Sequence, residues 1–180
     1  MIFTETKLKG AFTIDVKRLE DDRGFFGRSY CMEEFDIQGL NINVMQSNVS
    51  FNKKKGTLRG MHMQIAPYGE TKLVRCTRGS IYDVIVDLRP NSETYTQWVG
   101  VALSAATYRM LYVPEGFAHG FITMQDNTDV TYQVTQMYVP IAEKAYRWDD
   151  PTFDIKWPID PVVVSDKDRS HAPFEPHIMA

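Results

Sequence analysis

The chain has 180 residues, of which 43% are hydrophobic and 24% charged, with a formal net charge of -3 at pH 7. That balance belongs to a folded domain rather than a disordered segment, and it supplies no basic field for nucleic acid or an anionic membrane. No apolar run approaches the roughly 20 residues a membrane helix needs. The start, Met1-Ile2-Phe3-Thr4-Glu5, lacks the basic and apolar regions of a signal peptide. Cys31 and Cys76 stand far apart, in no C-x-x-C pair, which suits free thiols in a reducing compartment. The expectation is one cytoplasmic domain over residues 1–180.

Along the chain, residues up to about 25 are irregular, with 3–9 and 12–18 as candidate strands. Residues 31–40 predict one or two helical turns, with Met32 and Phe35 inward and Gly39 as the stop. From 57 to 135 short β segments follow one another between turn signals. Gly69-Glu70 precedes 71–76, Arg78-Gly79-Ser80 leads into 81–88, and Pro90-Asn91-Ser92 ends that strand. Residues 97–103, 109–113, 117–123 and 129–135 come next, with a short turn at 104–109. In 81–88, Tyr82, Val84, Val86 and Leu88 share one face while Asp83 and Asp87 share the other, the period of two of a strand. Beyond about 145 regularity fades, and Trp148, Phe153 and Trp157 are expected to pack across the barrel. Many short strands and few helices predict an all-β sandwich or barrel.

Chemistry concentrates in two segments. Pro114-Glu115-Gly116-Phe117-Ala118-His119-Gly120 resembles the second motif of the cupin superfamily, a small jelly-roll barrel. That resemblance implies a tight turn at the glycine and a histidine pointing into the barrel mouth. In Arg59-Gly60-Met61-His62-Met63-Gln64, Gln64 stands where a metal-binding cupin has its second histidine. An amide is a poor ligand beside imidazole, so a metal-free barrel is expected over a site built from His62, Glu70 and His119. Strand parity sets His62 and Gln64 opposite Met61 and Met63. Lys72 shares parity with Val74 and Cys76, and Tyr132 lies between Val130 and Val134. Taken singly, these are a packing histidine, an edge lysine and a core tyrosine. Three such groups converging on one interior are expensive to bury for packing alone, which favours an active site.

With these residues in hand the chain resembles the dTDP-4-dehydrorhamnose 3,5-epimerase family. The match runs in order through Asp22-Arg23-Gly24-Phe25-Phe26, Gln46-Ser47-Asn48, Leu58-Arg59-Gly60-Met61-His62, Lys72-Leu73-Val74-Arg75-Cys76, Asp83-Val84-Ile85-Val86-Asp87, residues 113–121, Trp148-Asp149-Asp150, Trp157-Pro158 and Ser165-Asp166-Lys167-Asp168. It implies a cupin-type jelly-roll barrel with few short helices that inverts sugar carbons flanking a C4 ketone. It implies no metal, nicotinamide or flavin. His62 is then the base, Asp168 the group on its far nitrogen, Lys72 the cation at the enolate oxygen, and Tyr132 the acid on the opposite face. Arg23 and Arg59 match phosphate-binding arginines. Gln46, Ser47, Asn48, His119, Glu143 and Lys167 match positions that contact sugar or nucleotide. Tyr138 matches the aromatic stacked on the base.

Some positions depart from the family pattern. Gly27-Arg28 stands where a glutamate helps read the nucleotide, Ser47 replaces an aspartate, and Gln133 replaces a lysine. Met61 and Met63 replace leucine and an aromatic. Arg28 offers donors only, favouring a base or phosphate rich in acceptors, and leaves dTDP-, CDP- and GDP-linked substrates open. Epimerisation at one carbon, a metal-dependent cupin and a non-catalytic sugar-binding barrel are the other readings. The resemblance also implies a homodimer with exchanged N-terminal strands, since strands at 3–9 or 12–18 would otherwise be bare edges.

Overall fold

A computed structural model describes residues 1–40 and 42–176. Two sheets lie face to face. In the first, β1 (Ile2–Glu5), β2 (Phe12–Asp15), β10 (Met110–Val113), β7 (Lys72–Arg78), β12 (Thr128–Val134) and β5 (Gln46–Asn52) are neighbours in that order. The second runs β13 (Glu143–Ala145), β6 (Thr57–Gln64), β11 (Phe117–Thr123), β8 (Ser80–Asp87) and β9 (Trp98–Ser104), with β14 (Val163–Val164) joining β6 in parallel. A separate hairpin pairs β3 (Leu19–Asp21) with β4 (Gly24–Phe26). The helices are α1 (Met32–Ile37) and α2 (Asp166–Arg169), besides a 3-10 turn at Pro140–Ala142. This is the all-β, cupin-type barrel that the strand pattern and the motifs predict.

Alternation on each strand decides what faces what. Val74, Cys76 and Val130 of the first sheet meet Ile81, Ile85 and Leu103 of the second between the sheets. Asp83 and Asp87 lie on the same interior face of β8, both fully buried. The opposite face of β8, with Val84 and Val86, is covered from outside by Phe153, Trp157 and Phe174. The aromatics beyond residue 145 therefore pack over the outer face of the second sheet, not through the barrel. The C-terminal segment is clasped there by the Phe174 N–H donating to Asp150 Oδ2 at 2.6 Å. Both faces of β8 are thus dry, which is why its sequence is so apolar.

Asp87 closes the turn after β8. Its carboxylate accepts from Arg89 Nε and Nη2 at 2.9 and 2.7 Å and from the hydroxyls of Ser92 and Thr94 at 2.5 and 2.6 Å. Burial pushes its pKa up, but these donors win and hold it at about 2.

Helix α1 buries Phe35, edge-on to Phe3 at 5.2 Å, and ends at Gly39, whose φ of +70° only glycine adopts without strain. Met32, expected inward, is exposed: the helix is six residues long and only Phe35 of it reaches the apolar cluster below. Strands β1 and β2 extend the chain's own sheet through β10, leaving β1 at the edge. Among the described residues, no helix is long and apolar enough to cross a membrane.

Candidate active site

A cavity of about 710 Å³ opens between the sheets. The second sheet contributes His62, Gln64 and Arg59 from β6 and His119 from β11; the first contributes Lys72 from β7, Tyr132 from β12, and Gln46 and Asn48 from β5. Parity turns Met61 and Met63 outward beneath the C-terminal aromatics and His62 and Gln64 in, while Arg59, of the methionines' parity, reaches the cavity across the register shift between β6 and β11.

His62 and His119 are direct cross-strand neighbours on β6 and β11. The strands can approach there because Gly60 and Gly120 face each other. A Cβ on Gly60 would sit 2.6 Å from Gly120 Cα, and one on Gly120 would sit 2.6 Å from Met61 Sδ and 2.8 Å from the Arg59 carbonyl. The glycines in the R-G-M-H and H-G segments are the clearance that sets two imidazoles side by side.

Each imidazole has its own carboxylate. His62 Nε2 lies 2.6 Å from Asp168 Oδ1, and Asp168 is 4% exposed although it belongs to a short helix near the C-terminus. Ser165 caps that helix by accepting the Asp168 N–H at 3.0 Å. Burial pushes the Asp168 carboxyl up, yet the bonds from His62 and Ser165 hold it below the usual carboxylate range. His119 Nε2 lies 2.7 Å from Asp83 Oδ1. Asp83 is entirely buried, and desolvation pushes its carboxyl up against the attraction of His119.

On the opposite wall, Lys72 is 7% exposed and ion-paired with Glu70. Burial lowers its pKa, and the Glu70 carboxylate opposes that fall. Tyr132 packs against the core beside Val130. Desolvation, then the Glu70 charge, raise its pKa, so the hydroxyl is protonated at neutral pH. At the outer rim, Tyr138 Oη donates to Glu143 Oε2 at 3.0 Å, and Lys167 Nζ contacts both Glu143 oxygens at 2.8 Å. The Lys167 ammonium holds the Glu143 carboxyl down. Arg59, anchored by Nε to Asn52 Oδ1 at 2.8 Å, adds a second exposed cation.

The structure thus brings together His62, Tyr132, Asp168, Lys72, Gln46, Asn48, Arg59, His119, Tyr138, Glu143 and Lys167. It leaves three expected residues outside. Ser47 faces the other way because β5 alternates. Arg23 is on the β3–β4 hairpin, paired with Asp21, and Arg28 is paired with Glu34 at 2.9 Å. Ser50, Ser165 and His171 emerge as residues of the site or its border, and Glu70, weighed in the sequence as a ligand beside His62 and His119, lines it as the ion-pair partner of Lys72. Glu70 and Ser165 carried signals, the first by following β6 closely and the second as the S-x-x-D of a helix cap. Among the described residues, His62, Asp168 and His171 bring metal-ligand types within 4.8 Å. The shortest approach among them is the direct His62–Asp168 hydrogen bond, so imidazole and carboxylate are engaged with each other.

The arrangement suits proton transfer across a small molecule: an imidazole–carboxylate pair on one wall, a protonated phenol and an ammonium on the other, and cations at the rim for an anion. Comparison with known proteins agrees. The family model for dTDP-4-dehydrorhamnose 3,5-epimerase matches residues 5–176. A dTDP-4-dehydrorhamnose 3,5-epimerase of Methanothermobacter thermautotrophicus is 42% identical over 96% of this chain and 94% of its own. The crystal structure of the Bacillus anthracis enzyme of that name, with TDP and pyrophosphate bound, superposes with a TM-score of 0.92 at 40% identity, over 96% of this chain and 99% of that one. A Legionella pneumophila dTDP-6-deoxy-D-glucose-3,5-epimerase holding dTDP-4-keto-L-rhamnose superposes with a TM-score of 0.86 at 36% identity, over 93% of this chain and 89% of that one. Fold, cavity and relatives agree, and the chain belongs to the dTDP-4-dehydrorhamnose 3,5-epimerase family of isomerases.

Proposed function

We propose that this cavity inverts C3 and C5 of a dTDP-4-keto-6-deoxy-hexose through enolate intermediates, using side chains alone. The observation that carries the proposal is the division of labour between walls: His62 of the second sheet, paired with Asp168 of α2, on one side, and Tyr132 with Lys72 of the first sheet on the other. Inversion needs a proton removed from one face and returned to the other, with positive charge near the enolate oxygen.

His62 takes the proton. With Nε2 bonded to Asp168, its Nδ1 keeps the free lone pair. Asp168, held ionised, stabilises the imidazolium that results. Lys72 faces the developing alkoxide, its charge maintained by Glu70. Tyr132, held protonated, returns a proton from the far wall. Arg59 and Lys167 supply cations for the diphosphate, and the exposed ring of Tyr138 offers a face for a nucleobase. The TDP held by the Bacillus anthracis relative supports a thymidine nucleotide.

A homodimer built through the N-terminal strands belongs to the same proposal. Arg23 and Arg28 do not line their own cavity, so a role on the phosphates requires the hairpin of one copy to reach the cavity of another. Ile2, Leu19 and Phe26 are largely exposed apolar groups on these N-terminal strands, and a partner would cover them.

The decisive experiment offers dTDP-, CDP- and GDP-linked 4-keto-6-deoxy sugars in heavy water and follows deuterium at C3 and C5 by NMR. Exchange and inversion at both carbons of the dTDP sugar is expected; exchange at one carbon only makes the enzyme a mono-epimerase. His62→Ala should lower both exchange rates at least ~10²–10⁴-fold, the range of general-base catalysis, with dTDP affinity little changed. Turnover within a few-fold of wild type would reassign the base.

A further inference from the structure

Gln64 occupies the place where a metal-binding cupin carries its second histidine, and its amide is fully employed. The side chain is buried, 4% exposed. Oε1 accepts the Val139 N–H at 2.6 Å, and Nε2 donates to the carbonyls of Met137 and Tyr68, both at 3.2 Å. Nε2 also stands 3.5 Å from Glu70 Oε2, the carboxylate paired with Lys72. Tyr138 lies between the two backbone groups that this one amide holds. Its ring is 56% exposed and has little packing to fix it. Its hydroxyl is tied at one point, to Glu143, and its backbone is held by Gln64 on both sides and by Gln46 Oε1, which accepts the Tyr138 N–H at 2.9 Å.

We infer that Gln64 is a positioning residue for nucleotide recognition: it holds residues 137–139 so that the exposed face of Tyr138 stands where a nucleobase stacks. The inference rests on the functional reading above, in which Tyr138 receives the base. Only an amide meets the local demand, one acceptor toward Val139 and two donors toward carbonyls. A carboxylate would set its oxygens against the Met137 and Tyr68 carbonyls and against Glu70. Histidine has one N–H in its neutral form and leaves one carbonyl unpaired. The glutamine therefore does structural work for binding where a metal-binding cupin holds an ion.

The test compares wild type, Gln64→Met, Tyr138→Ala and the double variant by dTDP titration calorimetry and steady-state kinetics. Gln64→Met keeps the volume and removes the hydrogen bonds. It should weaken dTDP binding and raise KM about tenfold, the scale of one hydrogen bond's worth of order, with kcat within about twofold. The double variant should bind dTDP no more weakly than Tyr138→Ala alone, because the amide acts through that ring. Additive losses, or a fall in kcat at unchanged KM, would overturn the inference. Gln64→Glu supplies a rescue: its carboxyl donates only when protonated, so its dTDP affinity should rise as pH falls while that of Gln64→Met does not. If either variant fails to fold, wild-type hydrogen exchange decides: the Val139 amide, outside every strand, must be protected, and fast exchange refutes the clamp. Failure of wild type to bind dTDP at all would overturn the functional reading instead, which the Val139 measurement does not depend on.

Discussion

Tyr132 is the residue at which packing and chemistry separate most cleanly. Tyr132→Phe retains the ring against Val130 and removes only the hydroxyl, so stability should change by no more than ~1 kcal/mol. If the phenol is the far-face acid, abstraction by His62 survives and reprotonation does not. Deuterium should then enter the sugar without matching inversion, or the product should stall after one carbon. Equal exchange and inversion rates, both near wild type, would remove Tyr132 from the mechanism. Asp168 presents the converse case. A carboxylate in a charged segment near the C-terminus reads as a surface group, yet it is 4% exposed and 106 positions from its histidine. Nothing local in a sequence encodes such a pairing; only the resemblance to a family pointed to it.

At the scale of elements, the crossing of β6 and β11 is the most exacting joint. Gly120→Ala places a methyl against Met61 Sδ and the Arg59 carbonyl, at distances real Cβ atoms do not tolerate. Overpacking of this kind typically costs ~1–3 kcal/mol, and here it also parts His62 from His119. Thermal unfolding should shift down, and epimerase activity should fall further than the lost folded fraction accounts for. The β8 turn gives a pH-dependent counterpart. Because the folded Asp87 pKa is about 2, below its unfolded value, its contribution is present above about pH 4 and lost as pH falls toward 2. Tm measured from pH 5 to pH 2 should drop across that window, and Asp87→Asn should be less stable at neutral pH and flatter in its acid response. The strands from β7 to β12 were legible because their alternation and the Gly, Pro and Asn turns between them are local signals, and parity alone turned His62, Gln64, Lys72 and Tyr132 to the interior. Strand β5 was not legible because its pattern is inverted: Gln46, Asn48 and Ser50 face the cavity, while Val49 and Phe51 are exposed. Helix α2 escaped for a different reason, being four residues long with its signal confined to the Ser165 cap.

For the whole molecule, the proposed dimer makes a quantitative prediction. If Arg23 serves the cavity of the other copy, Arg23→Ala and His62→Ala homodimers are both impaired, but their hybrid has one complete site. Mixing the two under conditions of subunit exchange should restore about a quarter of wild-type activity, since half the dimers are hybrids with one working site in two. No recovery would place Arg23 in its own cavity or outside the mechanism. The C-terminal clasp carries a consequence of another kind. Asp168, the proposed partner of the base, lies on the same C-terminal segment that Phe174 fastens to Asp150. The strands of both sheets all precede Asp168 in the chain, so they leave the ribosome before it does. On the proposed mechanism the barrel can form first, and the base gains its carboxylate only when α2 docks beside His62.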